Sequence, residues 1–267
     1  MPPITSVAID LDGTLFTPRH DYDRPRFARM LQACLERDIR VVIASGRQYL
    51  SMATMFDQPE RLAFVGDNGS TVVDVGGERV HDAVLDESLV RSTLALLAAH
   101  PEVSAVASGP LGAWMQRDSP EVMQQVMPTA YENLAMVDRL DELDGPVSKF
   151  ALVTDDGQAQ AVAAELSAKL DDALVPVTTG HRGIDLIVPG RHKAWGLSVL
   201  LERWGLDFSG LVAFGDSAND KEMLQAAGTS YAMAGAGQAA VDAADSRAPS
   251  GEDSGVMVVM EQLLGLS

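Results

Sequence analysis

The sequence predicts an α/β protein, a parallel-sheet core split by an inserted α+β domain. Three observations lead there. Short apolar runs that end in small or acidic residues alternate with helical stretches over 1–82; the pattern changes over 83–188; and the alternation resumes over 189–267.

Val7-Ala8-Ile9 breaks at Asp10 and Gly13, as a buried parallel strand ending in a loop would. A helix is expected over 24–37, with Cys34 on its core face. Residues 39–44 form a second apolar strand, ended by Ser45-Gly46-Arg47. Another helix and the strand 62–65 lead to Asp67-Asn68-Gly69. Residues 72–75 and 78–81, joined at Gly76-Gly77, read as a β-hairpin. In the insertion we expect helix 86–99, strand 103–107, and strand or helix pieces near Trp114 and over 120–127. Strand 147–153, helix 158–170 and strands 173–178 and 184–188 follow. Pro189-Gly190 marks the exit. The core then continues with helix 192–203, strand 211–214, helix 218–226, strand 230–233 and helix 238–244.

A chain of 267 residues is too long for one ordinary small domain and suits two compact units or one large α/β domain. With 46% apolar and 22% charged residues it has material for a real core and a solvated surface. The net charge of −18 repels phosphate backbones and anionic lipid, so no nucleic-acid or membrane partner is expected. An anionic substrate would need local cations. One cysteine excludes an internal disulfide and a cysteine-rich zinc site. No run approaches the roughly 18 apolar residues of a membrane span. The N-terminal stretch lacks the features of a signal peptide, so the expected location is the cytoplasm. No pattern speaks to an oligomeric state.

Asp10 and Asp12 fall at the carboxyl end of the first strand, where open α/β sheets place ligands. A bare Asp-x-Asp is a common turn. Asp-x-Asp-Gly-Thr directly after an apolar strand fixes four positions, and chance supplies that in roughly one chain in several hundred. Gly215-Asp216-Ser217-Ala218-Asn219-Asp220 also follows an apolar strand. Carboxylates about 4 Å apart at an effective dielectric of about 20 repel by roughly 4 kcal/mol per pair. A hard divalent cation relieves that, and Mg²⁺ favours a few carboxylates plus water and phosphate. Capping of the next helix by Asp216 or Ser217 is the structural alternative, and the two roles are compatible.

These residues resemble the haloacid dehalogenase-like superfamily, in particular its Cof-type sugar-phosphatase branch. Asp10-Leu11-Asp12-Gly13-Thr14 resembles the first motif, which implies Asp10 as nucleophile and Asp12 as general acid/base. Ser45-Gly46-Arg47 resembles the second, with serine where threonine is common and the hydroxyl retained. Asn68-Gly69 matches the Asn-Gly after the third strand. Lys193 resembles the third-motif lysine, and Gly215 to Asp220 the fourth motif. Tyr231-Ala232-Met233 resembles the late core strand, although Ala234-Gly235-Ala236 replaces a commoner Gly-Asn-Ala.

The resemblance implies a Rossmann-like core over 1–82 and 189–267, with 83–188 as a mobile cap. It implies phosphate contacts from Leu11, Ser45, Gly46, Lys193 and Asn219. Mg²⁺ would be held by Asp10, the Asp12 carbonyl and Asp216, with Asp220 in the outer shell. Arg47 fits either a phosphate contact or an ion-pair partner. Asn68, Trp114, Arg117, His181 and Arg182 are further candidates for substrate contact. The expected activity is hydrolysis of a small phosphate ester through an aspartyl-phosphate. A phosphomutase and a non-catalytic phosphometabolite sensor are the alternatives. A sensor has no need of Asp12 beside the nucleophile. Gly235-Ala236-Gly237-Gln238-Ala239-Ala240 fits a loose dinucleotide fingerprint, but no suitable acidic residue follows about twenty positions on.

Overall fold

The structure is a computed structural model that describes residues 3–179 and 182–266. In chain order the first elements are β1 (Ser6–Ile9), α1 (Arg24–Leu35), β2 (Arg40–Ala44), α2 (Tyr49–Thr54), β3 (Ala63–Gly66), β4 (Thr71–Val73) and β5 (Arg79–Asp82). The insertion carries α3 (Glu87–Ala98), β6 (Ser104–Gly109), β7 (Gly112–Gln116), α4 (Glu121–Ala130) and β8 (Leu134–Val137). It continues with β9 (Lys149–Val153), α5 (Ala159–Leu170), β10 (Val175–Thr179) and β11 (Gly183–Ile187). The chain ends with α6 (Lys193–Trp204), β12 (Leu211–Gly215), α7 (Lys221–Ala226), β13 (Thr229–Met233), α8 (Gln238–Ala243), β14 (Ser246–Ala248) and α9 (Gly255–Leu264).

Two compact units result: Met1–Gly46, Gln58–Val80 and His192–Ser267 form one, Arg47–Asp57 and His81–Arg191 the other. The segment Arg47–Asp57, expected with the core, groups with the insertion. Gln48 accounts for this, because its buried amide donates to the carbonyls of Gly109 and Gly112 at 2.7 and 2.9 Å.

In the first unit the strands are ordered β14-β13-β12-β1-β2-β3-β4-β5, parallel from β14 to β3 and antiparallel between β3 and β4. β1 lies between β12 and β2, so both of its edges are paired. Ala8, Val42, Val65 and Ala213 pack with Leu197, Leu200, Met223 and Ala240 from α6, α7 and α8. The alternate residues Val7, Ile9, Ile43 and Phe214 are equally buried. This is why the strands read as unbroken apolar runs rather than as alternation. α1 starts at a cap in which Asp23 accepts the Arg26 N–H, and Arg26 forms a two-pronged ion pair with Glu261 on α9.

The second unit has a six-stranded sheet ordered β10-β11-β9-β6-β7-β8, antiparallel except for β7 beside β8. One face buries Leu94, Leu97, Phe150, Leu152, Leu166 and Leu186 with α3 and α5. The other carries Val106, Met115, Met123 and Tyr131 with α4. Strands β8 and β14 and helix α9 are absent from the sequence reading. β14 has three residues, two of them exposed, and such an edge strand leaves no apolar signature. No helix among the described residues is long and apolar enough to cross a membrane.

Candidate active site

Asp10 directly follows β1. Its N–H donates to the Phe214 carbonyl at 3.1 Å, and the Ser45 N–H donates to Val65 at 2.9 Å. The parallel register therefore brings the carboxyl ends of β12, β1, β2 and β3 level. Because β1 has one neighbour from each half of the chain, this is a switch point, where α/β sheets open a crevice.

Asp10 is 4% exposed, and its Oδ1 accepts a 2.6 Å hydrogen bond from Lys193 Nζ. The same ammonium donates to Asp220 Oδ1 at 2.6 Å. Lys193 opens α6, whose N-cap His192 accepts the Trp195 N–H. Gly69, at φ 101°, packs against the His192 carbonyl, and a Cβ there would collide with it. That close approach brings the start of α6 to the end of β3. Asp220 Oδ2 accepts the N–H groups of Asp216 and Ser217, both at 3.0 Å. Ser217 and Asp220 form a capping box, so the capping role and the charged cluster coexist in one loop. Thr14 Oγ1 approaches Asp216 Oδ1 at 3.4 Å.

Asp10, Asp216 and Asp220 each offer a carboxylate oxygen within 4.8 Å of the others. Burial, and after it the charge of Asp220, push the Asp10 carboxyl well above its usual range, while Lys193 opposes them. Burial and Asp220 push Asp216 up to about 6. Burial alone would lower Lys193, but the Asp10 and Asp220 carboxylates outweigh it and raise the ammonium. Three carboxylates against one ammonium leave an excess of negative charge in a shielded place.

An uncharged rim accompanies this cluster. Asn219 Nδ2 donates to Asn68 Oδ1 at 3.0 Å, and a Cβ on Gly46 would meet that same Asn68 amide at 3.2 Å. Ser45 is buried beside them in sequence. Leu11 is buried, and its carbonyl accepts the N–H groups of Thr14 and Phe16 to close the loop.

The remaining expected residues fall elsewhere. The Asp12 carboxylate stands outside the three-aspartate group, 44% exposed and 3.2 Å from His20 Nδ1. Trp114 is a core residue of the second unit, where its indole donates to Asp144 and its ring packs over Gly145. Arg117 donates to Asp138 and to the Met136 carbonyl, and Arg182 donates to the Thr154 carbonyl. Arg47 belongs to the second unit. His181 lies outside the described residues.

Residues 7–260 match the family described as haloacid dehalogenase-like hydrolase. The chain belongs to the haloacid dehalogenase-like hydrolases. This hydrolase is 38% identical over 262 residues to the 5-amino-6-(5-phospho-D-ribitylamino)uracil phosphatase YbjI of Escherichia coli K12, a match covering 98% of this chain and 96% of that protein. Its fold is similar to SMU.1108c from Streptococcus mutans UA159, with a TM-score of 0.93 and 30% identity over 98% and 99% of the two chains. A haloacid dehalogenase-like hydrolase from Bacteroides thetaiotaomicron follows at TM-score 0.85 and 25% identity, covering 97% and 99%. The hydrolase is of the Cof type and is a phosphoric monoester hydrolase.

The carboxylates of this hydrolase fit a hard divalent cation. The donors are all oxygen, the charge excess is negative, and the burial that raises Asp10 and Asp216 is what a bound cation would offset. His20 and Thr14 are the site residues that sequence reasoning missed. Thr14 stands inside the run Asp10-Leu11-Asp12-Gly13-Thr14, where it has no assigned role of its own. His20, eight positions past Asp12, carries no motif signal.

Proposed function

We propose that this phosphatase is Mg²⁺-dependent and hydrolyses small phosphorylated metabolites, sugar phosphates above all, through an aspartyl-phosphate on Asp10. The carrying observation is the buried Asp10 carboxylate held by Lys193 beside Asp216 and Asp220. Asp10 attacks phosphorus in line, and the bond to the ester oxygen breaks. Asp12 gives its proton to the leaving alkoxide, then takes one from the water that opens the acyl phosphate. Lys193 opposes the burial that raises Asp10, and a bound cation would supply the remaining charge that keeps it ionised. The Leu11 and Gly46 amides, the Ser45 hydroxyl and Asn219 surround the transferring oxygens, and Asn68 orients Asn219.

Asp10, the Asp12 carbonyl and Asp216 would hold the cation, with Asp220 behind them. Bound there, Mg²⁺ supplies charge neutralisation for the phosphoryl oxygens. Selection among esters is assigned to the inserted unit, residues 83–188, with Arg117 and Arg182 among its candidates. The Escherichia coli relative is named for a phosphate on a ribityl chain, so phosphorylated sugar alcohols join the expected substrates.

The test is phosphate release from hexose, pentose, triose and ribityl phosphates with Mg²⁺ and with chelator. We expect chelation to abolish release and Asp10→Asn to lower it by at least about a thousandfold. Undiminished turnover in Asp10→Asn would sink the mechanism.

A further inference from the structure

The loop between β1 and α1 holds an imidazole against the exposed carboxylate of the Asp-x-Asp motif. His20 Nδ1 lies 3.2 Å from Asp12 Oδ1. The distance fits an Nδ1–H donor to this oxygen, which can accept whether or not the other oxygen of Asp12 carries the acid proton. The loop that presents His20 is tied down at both ends. Thr17 N–H donates to Asp21 at 2.8 Å, and His20 N–H donates to Thr17 at 2.9 Å. On one side Phe16 stacks on Tyr22 at 5.7 Å, and Tyr22 meets Phe27 of α1 edge-on at 5.3 Å. On the other, Phe16 N–H donates to the Leu11 carbonyl inside the motif itself.

His20 has φ 56°, in the left-handed region that side chains other than glycine and asparagine avoid. Such a conformation costs about 1 kcal/mol or more and persists where the surroundings over-determine it. Asp12 and His20 line one cavity of about 310 Å³ together with Asp216, Ser250 and Glu252. The pair therefore faces an open space rather than the packed core.

We propose that His20 is the positioning residue for the Asp12 acid/base, holding its carboxylate in the orientation that reaches the leaving oxygen. This rests on the reading of Asp12 given above. An exposed carboxylate otherwise samples several rotamers, and a misplaced acid loses proton transfer far more than it loses binding. His20 acts through Asp12 and touches no reacting atom.

The test compares His20→Ala, His20→Gly and His20→Asn with Asp12→Asn, each checked for an unchanged melting curve. Two esters are used at saturating Mg²⁺: an alkyl sugar phosphate, whose alkoxide needs an acid, and p-nitrophenyl phosphate, whose phenolate leaves unaided. In His20→Ala we expect kcat on the sugar phosphate to fall by about tenfold with KM changed less than about threefold. The burst of nitrophenolate should keep its rate. Asparagine accepts the left-handed backbone and places an N–H near the position of Nδ1, so His20→Asn should recover most of the loss. Glycine relieves the backbone without restoring the donor and should not. A nitrophenolate burst slowed as much as turnover on the sugar phosphate, a change in KM alone, no loss at all, or recovery by glycine each overturn the positioning role. If Asp12→Asn itself retains turnover on the sugar phosphate, the reading of Asp12 fails and the proposal with it. If Asp12→Asn loses turnover and His20→Ala does not, only the proposal fails.

Discussion

Lys193 donates a 2.6 Å hydrogen bond to Asp10 across 183 positions of chain, and both side chains are buried. A second bond from the same ammonium to Asp220 makes Lys193 the counter-charge for two carboxylates at once. Under the proposed mechanism this arrangement would serve the reaction as well as the fold, and the two roles separate experimentally.

Replacing Lys193 by Met leaves two buried carboxylates without their cation. Breaking a buried pair by removing one partner costs about 3–5 kcal/mol. We expect Lys193→Met to lose about that much in urea unfolding measured in chelator, and Mg²⁺ to restore part of it. A loss below about 1 kcal/mol would show that Lys193 is not the structural counter-ion.

The metal-free protein should carry an electrostatic strain that depends on pH. Asp216 is raised from 3.8 to about 6 on folding, mainly by burial. The native state then binds this proton more tightly than the unfolded chain. Its contribution to stability is present below the unfolded value and is lost as pH rises toward about 6. In chelator, the stability of wild type minus that of Asp216→Asn should be near zero at pH 4 and about −2 kcal/mol at pH 7, allowing for partial solvent exposure. A flat difference across that range refutes the assignment.

Gly13 has φ 83°, and a Cβ built on it would overlap the Asp216 carboxylate. Gly13→Ala should therefore displace a proposed metal ligand and strain the turn together. We expect turnover about a hundredfold lower, a raised Mg²⁺ requirement, and a stability loss of about 1–2 kcal/mol. Titration of activity with Mg²⁺ checks this, since a turn defect alone would leave the metal requirement unchanged.

Arg26 and Glu261 tie α1 to α9 through bonds of 2.8 and 2.6 Å, with about a quarter of each side chain exposed. The hydrogen bonds from Arg26 hold the Glu261 carboxyl below its usual range. A depressed carboxyl contributes stability above its unfolded pKa, and that contribution disappears as pH falls through the folded value. A double-mutant cycle with Arg26→Met and Glu261→Gln should give a coupling of about 1 kcal/mol at pH 7 and none in strong acid.

The two acidic loops were legible because each is local. Asp10 to Thr14 and Gly215 to Asp220 each follow an apolar strand within one loop, and strand, turn and carboxylate are all encoded in a few neighbouring residues. Lys193 was found only through its resemblance to a family motif. A lysine at the start of a helix has no local signal, and its identity depends on Gly69 letting α6 approach β3. Trp114 is similar: its place in the core of the second unit, with its ring over Gly145, has no local signal in the sequence.

By itself, then, the sequence determined the α/β alternation and the two acidic loops. Apolar periodicity and turn residues act over a few positions and need no knowledge of the rest of the chain. Tertiary structure alone decided which distant groups meet: Asp10 with Lys193, and Asn68 with Asn219. The physical reason is the strand order. Placing β1 between β12 and β2 brings loops from both ends of the chain to one edge of the sheet, and charge, burial and hydrogen bonding there belong to the assembled group.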